Sequence, residues 1–306
     1  MTTLIIGLGQ IGLAVAHSLH AQGISVVATS RSPKPALHPN ITHIVGDIGA
    51  LSVHDFCSAG FGTAELSKID KIAIIIAPKY QASQQNNNQT HSRNHGQNDK
   101  IQAYHACYAA ACCTVIGLSQ HLPNLQRIVF VSSTSVYGQN SGEIIDMHTF
   151  PQPPTSPAAQ ILLDCERLLH SHFGKHCTII RPSGIYGCDR LMMIRKASAF
   201  ANADELTKTV NTWTNRIFDT DLVHIITQAL TLAKPLPLYL ATDHTPTPLH
   251  EVLAFIAAAQ GQTLTPTNLP PTTGKRIISN IPKHWLQYPH WQMGYRHILC
   301  QTQKSK

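Results

Sequence analysis

The 306-residue sequence has few charged residues, no paired cysteine spacing and no long uninterrupted apolar run. Charged side chains make up 13% of the chain, against roughly 25% in an average protein. The net charge of +7 comes from Lys and Arg residues that are scattered rather than grouped into a basic stripe, so we expect no nucleic-acid partner. No apolar run approaches the roughly 18 residues that cross a bilayer, so we expect no membrane association.

Cysteine and histidine patterns exclude two further classes of site. None of the eight Cys residues forms a C-x-x-C pair, which predicts a reduced, cytoplasmic protein without a disulfide framework. The 19 His residues include the pairs His91/His95 and His170/His172, but no Cys or Asp accompanies them at ligand spacing. We therefore predict no metal site. The G-x-S-x-G motif of an α/β-hydrolase nucleophile elbow is absent as well.

Strand-type and helix-type patterns alternate along the first half of the chain. Short β-branched or aliphatic runs predict strands, and stretches with apolar residues at helical spacing predict helices between them. The predicted strands lie at 3–6, 24–29, 43–45, 71–77, 127–132 and 177–181, and the longer helices at 11–21, 101–122 and 158–172. This alternation implies right-handed βαβ units, so the predicted fold is α/β, a doubly wound parallel sheet of the Rossmann type.

Two regions depart from this alternation. It weakens after Arg190, so we predict a first domain over residues 1–189 and a smaller C-terminal substrate lobe over 190–306, together forming one compact unit. Residues 81–100 contain almost no apolar side chain. Burial cannot repay the entropy of ordering them, so we predict a flexible surface loop, with a lid over a binding site as the alternative.

A glycine-rich loop follows the first predicted strand and opens a helix. Its sequence fits G-x-G-x-x-G, with Gly7 for a tight turn, Gly9 for close approach of a pyrophosphate and Gly12 for helix–strand packing. The start of the helix would offer N–H groups and a positive dipole end to the phosphates. We therefore predict a dinucleotide site, with a turn that holds no ligand as the alternative; its loop residues are Gly7, Gly9, Gln10, Ile11 and Gly12.

The end of the second strand bears on which dinucleotide is bound. A ribose-binding acid is expected there and is missing; the segment reads Thr29-Ser30-Arg31-Ser32. Hydroxyls and a guanidinium suit a 2′-phosphate, so Ser30 and Arg31 favour NADP over NAD, although Arg31 also fits a solvated turn. After the third strand, Asp47 is either near the adenine amino group or a plain turn residue.

Several later segments occur in the order found in one large family. They are 131–138 (VSSTSVYG), 180–187 (IRPSGIYG), 216–223 (RIFDTDLV), 243–252 and 275–280 (KRIISN). With the glycine loop they resemble the extended short-chain dehydrogenase/reductase superfamily, in its NAD-dependent epimerase/dehydratase branch. The resemblance covers nearly the whole chain.

The resemblance implies a catalytic serine but removes the usual acid/base pair. In the family the serine of SSTSVYG that corresponds to Ser133 positions the substrate hydroxyl or carbonyl, and a Y-x-x-x-K opens the next helix. Counting back from Glu166 puts Ala158 and Leu162 at the Tyr and Lys positions, and neither side chain can carry a proton or a charge. This pattern resembles an atypical bacterial subgroup, the YeeZ-like proteins, which keeps SSTSVYG and lacks the pair.

The resemblance also implies the remaining site residues. Segments that end beside the cofactor in such proteins supply Ala77, Pro78, Ser132, Arg181 and Pro182. For a replacement acid, Tyr137 is the first candidate, with packing at the strand end as its alternative. Tyr80, which follows Lys79, and Tyr186 are further candidates.

Three hypotheses of function follow. The first is a cytoplasmic, NADP-dependent oxidoreductase or epimerase-like enzyme with non-standard acid/base residues, acting on a small polar or sugar-nucleotide-like substrate. The second is a non-catalytic protein that senses NADP(H) or scaffolds a partner. The third is an interaction protein without a cofactor. Related enzymes also form homodimers through the helices that correspond to 101–122 and 158–172, and small side chains there would permit close packing.

Overall fold

The computed structural model describes residues 1–58, 60–78, 90–199, 206, 209–262 and 269–304. The chain divides into two compact units. The first comprises Met1–Val136, Pro153–Ile180 and Ile226–Pro237, and the second comprises Tyr137–Gln152, Arg181–Ile225 and Leu238–Lys306. The single boundary predicted between residues 189 and 190 does not coincide with this division, because the chain passes between the units several times.

A seven-stranded sheet is formed in the described part of the chain, and most of its strands belong to the first unit. Its strands are β1 (Thr2–Ile6), β2 (Ser25–Ser30), β3 (Thr42–Val45), β4 (Ile69–Ile74), β5 (Arg127–Val131) and β7 (Cys177–Pro182), and β11 (Leu238–Ala241) completes the order β11-β7-β5-β4-β1-β2-β3. β1 and β4 are buried along their whole length, as central strands of a parallel sheet are. Every strand predicted in the first half is present, and the doubly wound α/β class is confirmed.

Helices connect these strands, as βαβ units require. They are α1 (Gln10–Ala21), α2 (Val53–Ser58), α3 (Thr63–Leu66), α4 (Thr90–Tyr104), α5 (Ala110–Ser119) and α6 (Pro157–Phe173), with 3-10 turns at Ile48–Ala50, Thr134–Val136 and Gly174–His176. A π-helical turn, His105–Ala109, joins α4 to α5. α8 (Asp219–Thr231) ends in the first unit.

The prediction of a loop over 81–100 is wrong for its second half. α4 begins at Thr90, because helix formation is cooperative and the apolar segment that follows extends the helix back into polar sequence. Residues 79–89, including Lys79 and Tyr80, lie outside the described residues. The expectation of no span-like segment also needs correction: Gln97–Ser119 is a 23-residue helical stretch that meets the length and composition of a membrane span, a criterion that core helices also meet.

The second unit contains two smaller sheets together with several helices. A four-stranded sheet has the order β12-β9-β13-β6, and β8 pairs with β10. Their bounds are β6 (Ser141–Ile145), β8 (Gly184–Tyr186), β9 (Thr212–Thr214), β10 (Arg216–Phe218), β12 (Thr247–Pro248) and β13 (Thr273–Ile277), with α7 (Met192–Ser198), α9 (Leu249–Ala259), α10 (Trp291–Lys304) and a 3-10 turn at Lys283–Trp285. Trp291 lies in its hydrophobic core.

Candidate dinucleotide-binding site

The strand order of the first unit creates a topological switch point between β1 and β4. From β1 the chain proceeds to β2 and β3 on one side, and then to β4, β5 and β7 on the other. In open α/β sheets, ligands bind outside the carboxyl ends of strands at such a point. The glycine loop follows β1 and the segment with Ala77 and Pro78 follows β4, so the structure brings these two predicted parts of the site to the same place.

Gly7 and Gly12 are required by the fold itself. Gly7 has φ +102°, and a Cβ there would lie 2.3 Å from the carbonyl oxygen of Ile75 at the end of β4. A Cβ on Gly12 would lie 1.9 Å from the carbonyl oxygen of Gly7. These contacts let α1 start close against the sheet, which is the packing role predicted for the third glycine.

Gly9 differs from both of its neighbours. Its φ is −69°, a value open to any residue, and a Cβ there would meet no atom of the described residues within 4 Å. Neither backbone conformation nor packing therefore requires a glycine. The first turn of α1 has no acidic residue and no side-chain cap, so the positive end of the helix is left for an external anion. The open space beside Gly9, at a helix N-cap that has no side-chain hydrogen bond, fits a pyrophosphate.

The end of β2 places Ser30 and Arg31 at the same sheet edge. Arg31 is exposed and makes no ion pair with any described residue. The Ser30 hydroxyl donates to the carbonyl oxygen of Ser32 at 2.7 Å and lies 2.8 Å from Nε2 of His43. Asp47 is exposed and its Oδ1 accepts from the N–H of Gly49 at 3.2 Å, so a turn-capping role accounts for this oxygen.

The segments after β4 and β5 complete this edge. Tyr108 is buried and its hydroxyl donates to the carbonyl oxygen of Ile76 at 3.1 Å, which holds the backbone before Ala77 and Pro78. The Ser132 hydroxyl is buried and has no hydrogen-bond partner among the described residues. Ser133 is half-buried and its Oγ accepts from the N–H of Ser135 at 3.1 Å. Its hydroxyl proton therefore stays available to a substrate oxygen.

Apolar side chains occupy the two positions that counting back from Glu166 assigned to an acid/base pair. Ala158 and Leu162 lie near the start of α6, which packs against the Thr134–Val136 turn. They are 3% and 2% exposed. These two side chains therefore belong to the core of the first unit and supply no proton donor.

The second unit brings together two site residues predicted from different motifs. Nη1 of Arg181 donates to the Tyr137 hydroxyl at 2.6 Å, and the guanidinium also lies over the tyrosine ring at 4.7 Å. Tyr137 is 1% exposed, and Nζ of Lys275 donates to its carbonyl oxygen. Burial lowers the pKa of Lys275, which Glu143 partly offsets. This arrangement supports the packing alternative for Tyr137 and gives Arg181 and Lys275 the role of anchoring it; Pro182 follows in the same buried strand.

A buried polar network in the second unit was not predicted from the sequence. The N–H of Asp243 donates to the carbonyl oxygen of Arg216 at 2.6 Å, and the Asp243 Oδ1 accepts from the N–H of Thr245. Burial raises the pKa of Asp243 to about 7, although Arg216 opposes the shift. Tyr186 is buried against Phe218 and Tyr295, and burial raises its pKa. A raised pKa and a buried hydroxyl make Tyr186 a poor replacement acid.

Comparison with known protein families gives a match over most of the chain. The sequence profile of the NAD-dependent epimerase/dehydratase family matches residues 3–234. The chain belongs to this family. The resemblance inferred from the motifs is thereby confirmed.

Three similar proteins illustrate the family. Protein YeeZ of Escherichia coli strain K12 is 26% identical over 188 residues, and the match spans 61% of this chain but only 59% of YeeZ. A solved structure from Methylobacillus flagellatus, described as a candidate NAD-dependent epimerase/dehydratase, is 27% identical, has a TM-score of 0.71 and covers 99% of this chain and 98% of its own. UDP-glucose 4-epimerase of Thermus thermophilus, solved with NAD, is 14% identical with a TM-score of 0.67 over 99% of both chains, which shows a shared fold.

Within this family member, two positioning residues escaped the sequence analysis. His43 and Tyr108 lie outside every motif, and each reaches the predicted site only through one hydrogen bond. His43 stands two residues out of register with Ser30, in a strand of four residues. The pairing of β2 with β3 brings His43 close to Ser30. That pairing depends on strand register, which no local sequence pattern reveals.

Proposed function

We propose that the chain is an NADP(H)-dependent oxidoreductase or epimerase-like enzyme whose acid/base residue does not come from α6. The observation that carries the proposal is Gly9, a glycine that neither φ nor packing requires and that leaves open space at the start of α1. At the turn from a strand into a helix, close approach of a ligand to the backbone accounts for a glycine of this kind.

Different residues at the sheet edge would hold different parts of the dinucleotide and of the substrate. Gly7–Gly12 and the start of α1 would hold the diphosphate, with Ala77, Pro78 and Ser132 at the neighbouring strand ends. Arg31 and Ser30 would hold a 2′-phosphate, which favours NADP. A bound nicotinamide supplies hydride transfer. Ser133 would donate its hydroxyl proton in a hydrogen bond to the substrate oxygen and fix the reacting carbon.

The same chemistry indicates a broad class of substrate. A carbonyl or hydroxyl that accepts from Ser133 implies a small polar or sugar-nucleotide-like compound. Three of the similar solved structures contain UDP-glucose or UDP-glucuronic acid, which supports the sugar-nucleotide class. We place the protein in the cytoplasm, since its eight cysteines are unpaired wherever the structure describes them.

A second function, a non-catalytic NADP(H) sensor or scaffold, is favoured by one observation. Ala158 and Leu162 are packed apolar residues, so the family's usual proton donor and ribose-binding Lys are both replaced by core. In this case Ser133 would contribute to cofactor contacts without any turnover.

Calorimetric titration with NADPH, NADP and NADH tests the proposal. We expect micromolar binding of NADPH and weaker binding of NADH, because Arg31 is free of ion pairs with the described residues. A panel of carbonyl and sugar-nucleotide substrates then separates the two functions. Turnover that Ser133→Ala removes, with NADPH affinity retained, identifies an enzyme; tight NADPH binding without turnover favours the sensor. Failure of every nucleotide to bind contradicts both.

We also propose a homodimer through the helical stretch Gln97–Ser119. Only 28% of its most apolar window is buried within the chain, and Ala106, Cys113 and Gly117 are small and exposed there. An exposed apolar stretch of this kind marks an interface. We expect light scattering to give twice the chain mass of 33.5 kDa.

The variant Cys113→Arg should shift this mass to that of a monomer, because a charged side chain would be buried at the interface without a partner. Cys57→Arg is the matched control, since Cys57 is an exposed cysteine on a different helix, α2. A monomeric wild type, or equal masses for both variants, would contradict the dimer.

A further inference from the structure

A histidine that no motif includes lies at the end of β2. His43 is half-buried on β3, where Ala28 of β2 is its register partner. Side chains two residues apart on a strand point to the same face, so the Ser30 side chain stands beside the His43 ring. Their Oγ and Nε2 atoms lie 2.8 Å apart.

The hydrogen bonds fix which atom donates. A serine hydroxyl has one proton, and the Ser30 proton goes to the carbonyl oxygen of Ser32 at 2.7 Å. Nε2 of His43 must then carry a proton and donate it to the Ser30 Oγ. When His43 is protonated on Nδ1 as well, this hydrogen bond is unchanged and the ring gains a positive charge. The Ser30 proton can turn from Ser32 to a stronger acceptor in either state.

A cationic side chain acts on His43. Lys34, in the loop after β2, lowers the pKa of His43 in addition to the larger effect of burial. Arg31 is exposed on the same loop. On α1, His17 and His20 face His38 instead, through a hydrogen bond of 3.2 Å and a ring contact of 4.2 Å. No carboxylate pairs with Arg31, Lys34 or His43 in the described part of the chain.

We propose that His43 is a specificity-determining residue for NADP(H), a proposal that rests on the proposed function. His43 presents the Ser30 hydroxyl to the 2′-phosphate and adds a positive charge to Arg31 and Lys34 as the pH falls. A phosphate monoester carries a charge of about −1.5 to −2 near pH 7, so it offsets the repulsion from Lys34. By linkage, NADPH binding takes up a proton at His43, and NADH binding does not.

Titration of NADPH and NADH at about pH 5.5 and about pH 8, on either side of the ordinary histidine pKa, tests this. His43→Gln keeps an N–H donor for Ser30 but cannot acquire a charge, and His43→Ala removes both. We expect NADPH to bind His43→Gln about three- to tenfold more weakly than wild type at the lower pH and equally at the higher pH, as one partly screened charge allows. His43→Ala should lose NADPH affinity at both pH values.

Comparison at each pH cancels the titration of the phosphate itself, which is the same for all variants. His54→Gln, an exposed histidine on α2, is the control and should match wild type. Calorimetry in two buffers of different ionisation enthalpy should show proton uptake with NADPH that His43→Gln lacks. Equal NADPH binding by wild type and His43→Gln at the lower pH, or an equal loss of NADH binding, would overturn the role of His43. Absence of all nucleotide binding would overturn the proposed function and this inference with it.

Discussion

Gly9→Ser is expected to weaken NADPH binding at least about tenfold, or about 1.4 kcal/mol, without loss of stability. Gly9 is the N-cap of α1 with φ −69° and ψ −176°, the extended geometry in which a Ser side chain caps a helix. The hydroxyl would accept from the first-turn N–H groups and raise the free energy of unfolding by a few tenths of a kcal/mol. The same hydroxyl would fill the space that the pyrophosphate needs. Stability and binding should therefore change in opposite directions, measured by urea unfolding and by calorimetry.

Two control variants make this result specific. Gly117 on α5 also has open space around its missing Cβ and no positive φ, so Gly117→Ser should leave NADPH binding unchanged. Gly12→Ala should instead reduce stability by about 1–3 kcal/mol, because its Cβ would press against the Gly7 carbonyl oxygen at 1.9 Å. Wild-type NADPH affinity in Gly9→Ser would show that the dinucleotide does not bind at this loop.

Arg127→Met is expected to lower the free energy of unfolding by about 2–4 kcal/mol. Nη1 of Arg127 donates to the carbonyl oxygens of Ala229, Leu230 and Leu232 at 3.1, 3.1 and 2.6 Å, and Nη2 donates to that of Ala233 at 3.2 Å. These carbonyls lie at the C-terminal end of α8, where a helix leaves its last acceptors unpaired and its dipole favours a cation. Methionine keeps the length of the side chain but removes every donor.

Arg127→Lys should recover part of this loss, because a lysine restores the charge without the fork of donors. The matched control is Arg167→Met on α6. Arg167 pairs with Asp164 at 3.4 Å with both side chains more than half exposed, so its removal should change stability by less than about 1 kcal/mol. Urea midpoints for the three variants provide the measurement. A midpoint for Arg127→Met equal to that of Arg167→Met would show that the capping contacts contribute nothing.

Local sequence patterns predicted the elements whose structure depends on residues close together in the chain. The aliphatic run around Ile72 and Ile74 predicted a buried central strand, and the glycine spacing predicted the turn from β1 into α1. The polar composition of residues 81–100 led to a wrong loop prediction from Thr90 onwards, where a helix extends back from the apolar segment that follows. Ala158 and Leu162 were identified by counting alone, and the structure adds that both side chains are buried.

The sequence by itself predicted the α/β class, the glycine loop that follows β1 and the apolar residues at the two positions counted back from Glu166, because each depends on residue types at short, fixed spacing. The tertiary structure alone decided the space around each glycine of this loop: a Cβ on Gly7 or Gly12 would meet backbone atoms, and one on Gly9 would meet none of the described residues within 4 Å. It also decided the pairing of Tyr137 with Arg181 and of Ser30 with His43. Those contacts join residues 44 and 13 positions apart, and strand order and register, which no local pattern encodes, bring them within hydrogen-bond distance.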